Sequence, residues 1–246
     1  MIESWVGLGL AATLAGFVQG LTGFGFVLAF VPLAMTTLQA RDTVVTALAL
    51  GVPMSAIVCI ETRINLRRSL DILSGAVLGT PIGALALALL PQVALRWVIV
   101  IVVAAASVVV IIPRPRPQGA SAHAAQRVVR FLAGIVGGVV NGSTGMGGPA
   151  IAVLAAGQRW PKDQARGALA LFNLVSYVIA LLQVGIGGTV VQHLPIDGFL
   201  GLLVAAVVGG ALGVYLQRVL SVAWFQKILI VVVWVGLAAD LLRFHG

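Results

Sequence analysis

Charge is what this chain has least of. Charged residues fill 9% of its 246 positions, against about a quarter in a soluble domain, while hydrophobic residues fill 60% and mean hydropathy is +1.12. Too little polar surface remains to keep such a chain in water, which points to an integral membrane protein. Its single cysteine, Cys59, excludes an internal disulfide and a thiolate metal cluster. Acids and histidines are missing from the middle of every apolar run: Glu61, Asp71, Asp197 and Asp240 fall near run ends, and His123, His193 and His245 in loops or the tail. A membrane enzyme needs a metal cluster, a carboxylate pair or an activated nucleophile at workable spacing. A proton-coupled pump usually carries a buried carboxylate or histidine relay. Neither pattern is present, so we expect no enzyme, no metal and no cofactor. The opening Met1-Ile2-Glu3-Ser4-Trp5 has no basic stretch and no small-residue cleavage site after it, so no removable signal peptide is expected.

What is present is apolar length. Six runs suffice to cross a bilayer, which takes roughly 20 residues: 43–62, 70–90, 94–112, 165–186, 197–217 and 222–242. Two further regions, 5–38 and 128–158, exceed 30 residues each and are split by glycine-rich centres. Straight, either would reach roughly 45–50 Å against a hydrocarbon core of about 30 Å. Their arms of about 12–15 residues suit a helix–break–helix hairpin that returns to its side of entry.

The pI near 11.3 does not signal nucleic acid, because the cations sit singly or in small groups between apolar runs, as orientation signals do. With returning hairpins, Arg63, Arg67, Arg68, Arg114, Arg116, Arg127, Arg130, Arg159, Lys162, Arg166, Arg218 and Lys227 share one face, and Arg41, Arg96 and Arg243 the other, a 12 to 3 split. If each long region crossed once, the split would be 8 to 7. The positive-inside rule selects the first, with basic loops cytoplasmic and both termini periplasmic or extracellular. Two short full spans per region give the same parity, so charge leaves that choice open.

The two long regions also repeat each other. Gly16-Phe17-Val18-Gln19-Gly20-Leu21-Thr22-Gly23-Phe24-Gly25 aligns, at an offset of 122, with Gly138-Val139-Val140-Asn141-Gly142-Ser143-Thr144-Gly145-Met146-Gly147, with six of ten positions identical. Ala40-Arg41 aligns with Ala165-Arg166, and Gly79 and Gly83 with Gly209 and Gly213. The expected fold is an all-α polytopic membrane protein of two inverted repeats, each a re-entrant-like hairpin plus three transmembrane helices. The first repeat is 1–112 and the second 128–246. Between them, 113–127 is a cytoplasmic linker rich in proline and arginine.

Glycines and amides inside apolar sequence suggest unwound backbone, tolerated in a membrane only against protein or a wet cavity. Each hairpin's second arm then presents the positive end of a helix dipole at the tip, where amides and hydroxyls complete an anion cradle. Candidate binding residues are Gln19, Gly20, Thr22, Gly23 and Gly25 from the first tip. From the second come Asn141, Gly142, Ser143, Thr144, Gly145, Gly147 and Gly148, with Pro149 suited to open the following helix. The competing reading is that the glycines only let helices pack, which is the expectation for Gly79/Gly83 and Gly209/Gly213. Asn173, Ser176 and Gln183 stripe one face of 165–186, as cavity lining or interhelical bonds, and Tyr177 beside them reads as packing. Arg41 and Arg166 open matching crossings, either as anion-attracting gate residues or as headgroup anchors, with Asp42 and Asp163 beside them as salt-bridge candidates.

Gly16, Gly20, Thr22-Gly23-Phe24-Gly25 and Pro32, with Gly138, the run Asn141 to Pro149 and Arg166-Gly167, resemble the sulfite exporter TauE/SafE family of membrane permeases. The likeness runs over essentially the whole chain. It implies outward transport of small sulfur-containing anions such as sulfite, sulfoacetate or other organosulfonates across the bacterial inner membrane. Alternatives are a carrier of another small anion or of a cation, and a non-transport membrane protein. Expected partners are the lipid bilayer and a small anion, without nucleic acid, and a homo-oligomer is compatible with all of this.

Overall fold

The computed structural model describes residues 2–62, 64–111, 123–186, 196–216 and 234. Among them it forms helices and no strand: α1 (Ile2–Thr22), α2 (Phe26–Ala34), α3 (Ala40–Glu61), α4 (Leu66–Leu89), α5 (Gln92–Ile111), α6 (His123–Thr144), α7 (Gly148–Gly157), α8 (Lys162–Ile186) and α9 (Ile196–Leu216). Five of these, α1, α3, α4, α8 and α9, are long and apolar enough to cross a bilayer. Apart from Trp234, the expected span 222–242 lies outside the described residues, as does most of the 113–127 linker, whose last five residues belong to α6.

Both long regions break into two helices, but not at their midpoints. The first arms run 21 and 22 residues and the second arms only 9 and 10. At 1.5 Å per residue, α2 and α7 reach about 13–15 Å, half a bilayer core. The expected arms of about 12–15 residues are corrected by what the glycines do. Gly16, Gly20, Gly138 and Gly142 remain helical, because each presses its bare Cα against the backbone of a neighbouring helix. Among the described glycines only Gly23, Gly25 and Gly145 adopt positive φ, at 79°, 99° and 75°: Gly23 and Gly145 follow the ends of α1 and α6, and Gly25 caps the start of α2.

Bare glycine contacts also define which helices pair. A methyl on Gly75, Gly79 or Gly83 of α4 would overlap the carbonyls of Phe131, Ile135 or Val139 in α6, a constant offset of 56 that makes the two helices parallel. The same happens between α9 and α1, where Gly209 and Gly213 meet the carbonyls of Thr13 and Phe17 at an offset of 196. Gly79/Gly83 and Gly209/Gly213 are thus packing glycines, as the helix-contact reading holds. Each joins a helix of one sequence half to a helix of the other. Between these pairs, α3 and α8 run antiparallel, with Gly51 against Tyr177 and Glu61 against Arg166.

The core fills the space between the pairs with Phe26, Phe30, Leu48, Leu50 and Phe172, all fully buried. Phe26 and Phe30 stack one turn apart in α2 with centroids 5.6 Å apart. At the basic end, Arg130 of α6 holds Asp71 of α4 at 2.8 Å and donates to Gln158 after α7 at 3.1 Å, clamping three helices by their termini.

Candidate functional site

The two helix breaks are built by one plan. Gln19 lies one turn before the first break and is 2% exposed; its Oε1 accepts from the backbone N–H of Phe26 at 3.1 Å, at the start of α2. Asn141 is fully buried before the second break, and its Oδ1 accepts from the N–H of Gly147 at 2.8 Å, at the start of α7. Each amide therefore reaches across its break and satisfies one orphan donor of the second arm's first turn. That requirement sets the oxygen's direction, and the NH2 end must point the other way. Both Gln19 Nε2 and Asn141 Nδ2 are buried without a hydrogen-bond partner among the described residues. Two desolvated donors of this kind are costly unless something accepts from them.

The hydroxyls serve the turns. Thr22 Oγ1 bonds the Val18 carbonyl at 2.8 Å, accepts from the Phe24 N–H at 3.3 Å and also contacts the Phe24 carbonyl. Thr144 bonds the Val140 carbonyl at 2.8 Å and accepts from the Met146 N–H at 3.3 Å. Ser143 turns back onto the Val139 and Val140 carbonyls at 3.0 and 3.2 Å. Backbone N–H groups of Gly23 and Gly145 close the long helices onto the Gln19 and Asn141 carbonyls, both at 2.7 Å. Gly20 and Gly142 sit at the helix contacts with Gly210 and Thr80. Gly147 is held against the Gly137 carbonyl, and Pro149 occupies the first turn of α7.

The breaks meet. Val27 packs on Gly145, and Phe24 faces Gly148, whose other neighbours are the Asn173 amide and Leu169. Phe24, Gly25, Val27, Gly145, Met146, Gly148, Asn173 and Tyr177 enclose a cavity of about 10 Å³, room for about one water. Asn173 is 2% exposed and its Oδ1 has no partner among the described residues.

Tyr177, expected only to pack, donates from its hydroxyl to the Gly145 carbonyl at 3.2 Å. Its signal in the sequence is a phenol inside an apolar span, since a buried Tyr O–H usually finds an acceptor. Gln183 makes an interhelical bond, Nε2 to the Pro81 carbonyl at 3.0 Å. The two matched arginines differ. Arg41 is spent on the end of α4, donating to the Leu87 and Leu90 carbonyls at 3.1 and 2.8 Å. Arg166 lies over Gly23 and reaches the Gly20 carbonyl at 3.4 Å and Glu61 Oε2 at 3.5 Å. Of the acids beside or near them, Glu61 rather than Asp163 is thus an ion-pair partner of Arg166.

A family model described as Sulfite exporter TauE/SafE matches residues 8–239. No curated protein and no solved structure matches the chain significantly.

Proposed function

The chain belongs to the sulfite exporter TauE/SafE family, and from that premise we propose that it is an inner-membrane permease exporting small sulfur-containing anions, sulfite or organosulfonates. One observation carries the reading: paired buried amides, Gln19 and Asn141, each fixed through its oxygen and each with an NH2 that has no partner among the described residues. Such donors favour an oxyanion, which supplies acceptors on several sides. The substrate binds where the breaks meet, between Gln19, Gly23 and Gly25 on one side and Asn141, Gly145, Gly147 and Gly148 on the other, with Asn173 adjacent. Thr22, Ser143 and Thr144 hold the turns, and Gly20 and Gly142 hold the helix contacts that support them. Arg166 attracts the anion, and Arg41 stands outside the route.

Two inverted repeats fit the antiparallel pairing of α3 with α8 and the matching parallel pairings of α1 with α9 and α4 with α6. Because the glycine contacts lock helices of different halves together, alternating access moves the α1–α9 pair against the α4–α6 pair. The cavity at the tips, about 10 Å³, is then a closed state that widens when the anion enters. With the basic loops cytoplasmic, export of an anion runs downhill in a cell negative inside, by about 2.3 kcal/mol per charge per 100 mV.

Reconstituted vesicles preloaded with radiolabelled sulfite, sulfoacetate or another sulfonate test this. Efflux should exceed that of protein-free vesicles and accelerate when the loaded compartment is made negative. Absence of flux for all of them counts against the permease, and the opposite potential dependence identifies a cation carrier.

A further inference from the structure

A second and larger cavity, about 280 Å³, lies between α1, α3 and α9. Gln19 and Gly20 line it from α1, Met54, Val58 and Glu61 from α3, and Gly210 from α9. It has two distinct ends. Gln19, 2% exposed, is the inner one and belongs to the first tip. Glu61, its side chain 41% exposed, is the outer one, on the face where Arg67 and Arg68 begin α4. Glu61 is the one charged residue among those lining the cavity.

A carboxylate at this place is a poor doorway for an anion and a good one for a cation. Arg166 changes that by bridging Glu61 Oε2, at 3.5 Å, to the Gly20 carbonyl, at 3.4 Å. Both distances exceed the roughly 2.7–2.9 Å of a tight charge-assisted bond. A planar guanidinium offers paired donors to an incoming oxyanion, so an anion can replace Glu61 on Arg166, whereas a neutral solute or a cation cannot. In α8, the helix whose sequence aligns with α3, Gln183 bonds the Pro81 carbonyl of α4 and carries no charge to exchange.

We propose that this cavity is the anion's route from the basic face to the tips, and that Glu61 and Arg166 form its gate, opened when the anion takes Arg166 from Glu61. The proposal rests on the permease reading and adds to it a route and a gate. Glu61 acts through Arg166 and is a positioning residue.

The test uses the full chain with Cys59→Ser, a reporter Met54→Cys, and inside-out vesicles. Labelling rates are compared for two impermeant methanethiosulfonates, one bearing an ethylsulfonate and one a trimethylammonium. The anionic reagent should react faster. Glu61→Gln should raise its rate by roughly tenfold, in line with charge effects on entry into clefts, and Glu61→Asp should return it toward the parent value. Arg166→Gln should abolish the anion preference or reverse it. Val58→Cys is the second reporter, should the first fail to fold. Equal labelling by both reagents in every background, or no labelling at either reporter, overturns the gate. Sulfite flux without anion-selective labelling removes the route and leaves the permease reading standing. Selective labelling without flux of any sulfonate or sulfite upholds the gate and removes the permease reading.

Discussion

The first break, Thr22 to Phe26, and the second, Thr144 to Gly148, share their inner chemistry and differ in what covers them. In both, a glycine at φ near +75 to +79° ends the long helix, a threonine closes the turn, and an amide one turn earlier caps the next helix. Outside that frame the first break carries Phe24 and lies under Arg166, whereas the second carries Met146 and lies under Tyr177. The charged cover marks one tip and the neutral phenol the other. Duplicated sequence thus preserved the donors and diverged in their surroundings, as a carrier meeting different solutions on its two sides would require.

Breaking the frame should cost both tips alike and most severely at the helix contacts. Gly20→Val and Gly142→Val each place a side chain into a neighbouring backbone, a defect at or above the about 1–3 kcal/mol of ordinary overpacking. Both should lose monodisperse protein on size-exclusion chromatography; tolerance at one position alone would show that the pairs are not equivalent.

Next come the amides. Gln19→Ala and Asn141→Ala each leave a buried backbone N–H unsatisfied, at about 1–3 kcal/mol, and each should lower the thermal midpoint. Each should also cut flux by more than about tenfold, equivalent to ~1.4 kcal/mol. Wild-type flux in either variant would detach the amides from the substrate.

Arginines should then separate the two halves. Arg166→Gln should raise the KM for efflux with little change in thermal midpoint. Arg41→Gln should lower the midpoint and leave KM in place, because its bonds go to the carbonyls ending α4. Equal KM effects would restore them as a matched pair.

The smallest effect is expected from Tyr177→Phe, which removes one hydrogen bond to Gly145, worth about 0.5–1.5 kcal/mol. A modest drop in thermal midpoint should appear, with flux reduced less than in the amide variants.

Much of the frame is legible in residue order because it is local. The breaks, the amide one turn before each, and Pro149 opening α7 all follow from backbone groups that must find partners within a few residues when no water is at hand. Apolar run length alone announced a polytopic helical protein. Not legible was which glycines break a helix and which merely pack: Gly20 and Gly23 look alike in the repeat, and only a neighbour's backbone against Gly20 distinguishes them. The pairing of α1 with α9 and α4 with α6, the different fates of Arg41 and Arg166, and the appearance of Glu61 beside Arg166 all join residues about 46 to 196 positions apart. Contacts at such separation depend on how helix faces meet in three dimensions. Composition and spacing cannot encode that meeting for two segments with the same glycines, so the tertiary packing alone decided it.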